Sequence, residues 1–284
     1  MFINDLEPII FQYNFISIRW YGLFLVIGII LSLFIITKLF KQNKLDKELA
    51  YDLVVWLTIG GLIGARLGHI IFYNLFYFLK NPTEIIMINH GGLSSHGMTI
   101  GLILTFWLWL RHNSPPVRPE LTTKAKKGES EGVLAWSWEK IVDLVVIPIP
   151  LLAAFIRLGN FFNSEIVGRP TDLPWGVYFS RFGLEPILRH PSQIYESLIA
   201  LSIFVFIYFI YKKYSNKLPQ LFLTNTFILL YFSTRFLIEF VKEYPLYFGL
   251  TTGQWLSLPF ILWGVWWFVK YKKPWRDYTK TNIK

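Results

Sequence analysis

The chain lacks cysteine and has little charge. None of its 284 residues is Cys, and only 16% are Asp, Glu, Lys or Arg, against roughly 25% in soluble domains. The missing thiol excludes a disulfide framework, a thiolate metal site and a catalytic cysteine supplied by this chain. The scarcity of charge excludes disordered and nucleic-acid-tail classes. What fills the space is apolar: 54% hydrophobic residues, with 19% Phe, Trp and Tyr. A soluble protein of this size would expose much of that surface to water. The composition therefore predicts an all-α integral membrane protein.

A span needs about 20 mostly apolar residues. Seven stretches qualify or nearly so: Trp20–Thr37, Leu53–Leu79, Ile100–Leu110, Ile141–Ile156, Ser192–Tyr211, Leu218–Leu237 and the second half of Tyr244–Val269. The net charge of +10 is distributed by side. Lys and Arg crowd the tracts after the first, third, fifth and seventh stretches, and the intervening tracts have few outside 158–190. By the positive-inside rule the N-terminus lies outside and the C-terminus is cytoplasmic. That rule explains the excess of cations without nucleic acid. The segment Met1–Asn14 carries Asp5 and Glu7 and no Lys or Arg, so it is not a signal n-region and is expected to be retained. The whole chain, 1–284, reads as a single polytopic membrane domain. It has an extracytoplasmic loop at 158–190 and a polar, Pro-containing stretch at 113–132 expected to be a disordered cytoplasmic loop.

Ionisable groups at membrane depth are costly and mark sites by default. Arg66, His69, His96, Arg157, Glu165, His190, Glu196, Arg235 and Glu239 interrupt or border the apolar stretches, many toward the outer side. Arg235 and Glu239 are four residues apart and share a helix face. Arg66 follows Gly60, Gly61 and Gly64, a small-residue face suited to close packing, and reads equally as structural or functional. Asp143 is expected to be solvated or to serve a helix N-terminus. In His90–Gly97 three glycines allow close backbone approach to an anion, and His96 is the candidate general base. In Arg157–Arg169 a cation stands beside Asn160, Asn163 and Glu165. Arg157 and Arg235, on different elements, are suited to clamp one phosphodiester.

At these residues the chain resembles the prolipoprotein diacylglyceryl transferase family. The segments that carry the resemblance are Arg19–Gly22, Gly64–Arg66, Gly91–Gly97, Arg157–Glu165, Gly168–Gly176, Arg189–Glu196 and Tyr231–Phe240, in order over residues 17–270. The family usually has Phe where Ser95 stands and Gly where Met98 stands. The resemblance implies transfer of the sn-1,2-diacylglyceryl group of phosphatidylglycerol to the lipobox cysteine thiol of a preprolipoprotein. A thioether forms and glycerol 1-phosphate leaves. It implies catalytic roles for His96, Arg235 and Tyr21. It implies substrate-binding roles for Arg157, Asn160, Glu165, Gly168, Glu196, Tyr231 and Glu239. Its partners would be phosphatidylglycerol, the lipobox signal peptide and the lipid bilayer of a bacterial plasma (inner) membrane, with no nucleic acid. No cofactor and no metal are expected, since the histidines are not at ligand spacing. Rival readings are weaker. A channel predicts charges spread through the full depth, and Ser94 with His96, two apart on one loop, is poor evidence for a serine protease.

Overall fold

In the computed structural model, residues 2–14, 16–87, 92–113, 137–183 and 187–271 are described. The stretch 114–136, and so all but Asn113 of the expected cytoplasmic loop, lies outside them, as do His90 and Gly91. The chain begins with β1 (Phe2–Asn4), β2 (Ile9–Tyr13) and β3 (Ile16–Arg19), then α1 (Trp20–Gln42), α2 (Lys47–Tyr73) and α3 (Leu75–Lys80). A 3-10 turn at Pro82–Ile86 precedes α4 (Ser95–Asn113). There follow α5 (Trp138–Val145), α6 (Ile149–Phe162), β4 (Val177–Phe179), β5 (Leu188–Arg189), α7 (Ser192–Tyr214) and α8 (Phe222–Ile238). The β6–β7 hairpin (Leu246–Tyr247, Leu250–Thr251) leads into α9 (Thr252–Lys270).

The protein is predominantly helical. Four segments, Trp20–Gln42, Lys47–Tyr73, Trp138–Phe162 and Ser192–Tyr214, are long and apolar enough to cross a membrane. The other three expected spans fall on α4, α8 and α9, which have 19, 17 and 19 residues. The third of the four long segments is broken between α5 and α6 at Pro148, with Pro150 in the first turn of α6. Proline lacks the donor that an unbroken helix needs there. The small sheets were not legible in the sequence. β1 pairs parallel with β4, and β4 antiparallel with β5. Strands of two to five residues are too short to show a period of two.

The chain forms two compact units, Met1–Ile36 with Glu139–Lys284, and Thr37–Trp138; the boundary falls inside α1. In the second unit, α2 and α4 approach until their backbones touch. A Cβ on Gly64 would stand 2.5 Å from the Gly97 carbonyl oxygen and 2.7 Å from the Gly101 Cα. The small-residue face of α2 thus meets a matching Gly97–Gly101 face on α4. At the other end of the pair, the Trp109 indole, fully buried, donates to the Asp52 carboxylate at 2.7 Å.

In the first unit, α6 and α7 are joined by Ser197, whose hydroxyl donates to the Ala154 carbonyl at 3.0 Å. Helices α8 and α9 are joined by stacking of Phe232 on Phe260 with centroids 4.1 Å apart. Asp143 on α5 accepts from both the backbone N–H (2.9 Å) and the hydroxyl (2.6 Å) of Thr224, in the first turn of α8. Of the two expectations for Asp143, service to a helix N-terminus is the one realised, although the helix is α8 and not its own.

Candidate active site

Helix α6 ends in a way that builds the site. Ser164 adopts a left-handed φ of 54°. The Ser164 N–H then reaches the Phe161 carbonyl at 3.1 Å, and the Glu165 N–H reaches back to the Asn160 carbonyl at 2.9 Å. This is the Schellman pattern, which satisfies the last carbonyls and reverses the chain. The helix therefore continues through Phe162, so the first five residues assigned to the extracytoplasmic loop 158–190 are helical. The reversal stacks Arg157, Asn160 and Glu165 in register. The Arg157 Nη1 donates to the Asn160 Oδ1 at 3.2 Å, and the Asn160 amide donates to the Glu165 carboxylate at 3.1 Å. Asn163 donates to the other Glu165 oxygen at 3.2 Å. Tyr21, at the start of α1, packs on Gly159, where a Cβ would lie 2.9 Å from its ring.

Helix α7 supplies Glu196. Its start is held by the Gln193 amide, which donates to the Glu165 carbonyl at 2.6 Å, and by the Ser192 hydroxyl, which donates to the Ile166 carbonyl at 2.8 Å. Glu196 Oε2 then stands 3.1 Å from Arg157 Nε. This is an ion-pair separation without a well-aimed hydrogen bond, so that buried oxygen retains acceptor capacity. Helix α8 supplies Tyr231 and Arg235. Arg235 Nη2 lies 3.8 Å from Glu239 Oε1, the pairing expected from their spacing. Glu239 also accepts from the hydroxyl of Thr251, the N-cap of α9, at 3.0 Å. Arg157, Glu196, Tyr231 and Arg235 line one cleft, with Thr234 and the apolar Ala153, Ile199, Ala200 and Ile238. The two arginines expected to act together thus face one space.

Lys242 was missed in the sequence. Its side chain is 2% exposed, and its Nζ sits 2.7 Å from Glu196 Oε1 and 3.8 Å from Glu239 Oε1. Burial pulls its ammonium below the ordinary lysine range, while the Glu196 charge opposes that shift. The only signal in the sequence was a lysine three residues after Glu239. Gly168 is where the long loop passes under this segment. A Cβ there would lie 2.6 Å from the His190 carbonyl oxygen and 2.8 Å from that of Val241.

The residues of the second unit divide differently. Arg66 proves structural. It is 6% exposed, and its guanidinium donates to the carbonyls of Glu84, Ile85, Met87 and Gly92 while lying 5.1 Å from the Phe78 ring centroid. One arginine thus ties Glu84, Ile85 and Met87 to Gly92, ahead of α4. Ser94 is buried and caps α4, its hydroxyl accepting the Gly97 N–H at 3.2 Å. The Gly97 N–H is already used, so the expected anion cradle loses that donor. His96 occupies the first turn of α4 with its side chain exposed.

Comparisons with known proteins agree with the motifs. A family model described as prolipoprotein diacylglyceryl transferase matches residues 8–270. A phosphatidylglycerol–prolipoprotein diacylglyceryl transferase of Chloroherpeton thalassium is 38% identical over 265 residues, 92% of this chain and 91% of that protein. One from Porphyromonas gingivalis is 38% identical over 291 residues, covering 95% and 94%. One from Bacteroides fragilis is 35% identical over 283 residues, covering 94% of each. Nearly the whole chain is matched, site segments included, and it belongs to the prolipoprotein diacylglyceryl transferase family.

Proposed function

We propose that this chain transfers the sn-1,2-diacylglyceryl group of phosphatidylglycerol to the lipobox cysteine thiol of a preprolipoprotein signal peptide. It does so as a seven-span protein of a bacterial plasma (inner) membrane, N-terminus outside and C-terminus cytoplasmic. The chain acts as one polytopic domain, with 158–190 extracytoplasmic and 113–132 cytoplasmic. The observation that carries the reading is the pair of arginines, Arg157 and Arg235, lining a single cleft beside apolar side chains. A phosphodiester with acyl chains matches both features.

The chemistry is a displacement at the diacylglyceryl carbon. The cysteine sulfur forms a C–S bond as the C–O bond to phosphate breaks. The thiol proton passes to His96, the exposed base, and glycerol 1-phosphate departs with the bonding pair. A free thiol is only a few per cent thiolate at neutral pH. A positioned base typically contributes about 10²–10⁴ in rate. The phosphate gains negative charge as it leaves, and Arg157 and Arg235 stabilise that charge as it develops. Tyr21 and Tyr231 border the substrate. Asn160, Glu165 and Glu239 hold the arginines and offer acceptors to headgroup hydroxyls, and Gly168 keeps the loop seated.

The deciding experiment uses full-length protein in detergent with phosphatidylglycerol and a lipobox peptide, and measures glycerol phosphate release. Release that depends on the peptide cysteine and is abolished by its Cys→Ser variant is expected. A folded preparation that releases none in the presence of both substrates overturns the proposal.

A further inference from the structure

Lys242 is buried, charged and unused by the chemistry above. It does not line the cleft; the residues that do include Arg157, Glu196 and Arg235. It stands behind them in an alternating chain. Arg157 meets Glu196 at 3.1 Å, Glu196 meets Lys242 at 2.7 Å, Lys242 meets Glu239 at 3.8 Å, and Glu239 meets Arg235 at 3.8 Å. The backbone holding the lysine is fixed by the long loop. Gly168 pairs with Lys242 in an isolated antiparallel bridge, and the Arg169 N–H donates to the Val241 carbonyl at 2.9 Å. The side chain is therefore delivered to one place.

The charges explain what it does there. Three cations and two carboxylates leave the chain formally at +1, and without Lys242 the same groups sum to zero. Each carboxylate would then have one arginine as its only cation in the chain, and with the Glu196 and Glu239 side chains only 10% and 2% exposed that attraction is little screened. Lys242 holds the shorter contact to Glu196, 2.7 Å against 3.1 Å for Arg157. We propose that Lys242 is a positioning residue for the transfer: by holding Glu196 and Glu239 from behind, it keeps Arg157 and Arg235 available to an anionic headgroup instead of collapsing onto their own carboxylates. This rests on the diacylglyceryl-transfer reading, and deepens it by naming the group that maintains the arginine pair.

The test compares wild type, K242M, K242R, E196Q and E196Q/K242M as full-length proteins in detergent. Both phosphatidylglycerol affinity and the kcat for glycerol phosphate release are measured. K242M is expected to lower kcat about ten-fold or more, as loss of charge support at a developing anion does. K242R retains most of kcat. In E196Q/K242M the neutral side chain no longer captures Arg157, so kcat and affinity recover relative to K242M, a coupling that a mere strut does not show. The proposal is overturned if K242M turns over like wild type or if the double variant is no faster than K242M. Should K242M fail to fold, the comparison runs on E196Q/K242M against E196Q, where little difference is expected. A double variant that also fails to fold makes Lys242 a strut and overturns the proposal. A wild type that binds phosphatidylglycerol but releases nothing sinks the transferase reading alone, and the same affinity comparison then decides Lys242.

Discussion

Arg157 donates from Nη1 to the Asn160 Oδ1 at 3.2 Å, which orients its guanidinium before any substrate arrives. A planar fork donates to two phosphate oxygens at once, which an ammonium cannot reproduce. Arg157→Lys keeps the charge and is expected to lower the kcat for glycerol phosphate release by about 10²–10³-fold. The duty proposed for His96 is different. His96→Asn is expected to slow release by on the order of 10²-fold or more while leaving phosphatidylglycerol affinity near wild type, measured by equilibrium binding. An unchanged rate removes His96 as the base. At this scale the sequence was informative wherever a charge stood alone in apolar surroundings, because the cost of that placement demands a reason. It named Arg157, Glu196, Arg235 and Glu239 within a larger group of charges that also held His96, Glu165 and His190. It left Arg66 undecided, because its partners are carbonyls, which every residue carries. It overlooked Lys242, whose nearest partner lies 46 positions away.

Among the elements, the helices were more legible than their ends. Apolar runs placed the long helices, while the Schellman turn at Ser164 went unseen because serine is not the residue that usually takes the left-handed position. That turn places Glu165 against Asn160, so a helix end organises the cleft. The α2–α4 pair makes a sharper claim. A side chain at Gly64 would have to enter the backbone of α4 at Gly97 and Gly101. Gly64→Val is expected to cost about 1–3 kcal/mol in thermal unfolding followed in detergent, the range for overpacking a tight contact. Gly22, exposed on α1 with nothing within 4 Å of a built Cβ, provides the contrast. Gly22→Ala is expected to leave stability unchanged or slightly higher, since alanine is the better helix former. Equal losses from the two substitutions would refute the close-packing account.

For the molecule as a whole, pH reports on the loop that closes over the first unit. His190 is 8% exposed, and burial together with the charge of Arg169 moves its imidazole below the ordinary value of 6.5. The unfolded chain therefore binds this proton more readily than the folded one. Stability is full above that ordinary value and falls as the pH drops below it, by at most about 1.4 kcal/mol per pH unit for one group. Melting temperature measured from pH 8 to pH 5 is expected to decline on the acid side, and His190→Gln to flatten that decline. By itself the sequence determined the class of solvent and the long apolar helices, because burying apolar side chains in lipid is dictated by composition and run length, and its ordered motifs determined the family. It also determined which charges needed an explanation. Only the tertiary structure decided their partners: Lys242 between two carboxylates, Arg66 spent on backbone carbonyls, and Ser94 and Asp143 serving helix ends. Pairing energies depend on distances of a few ångströms between side chains remote in the chain, and those distances exist only after packing.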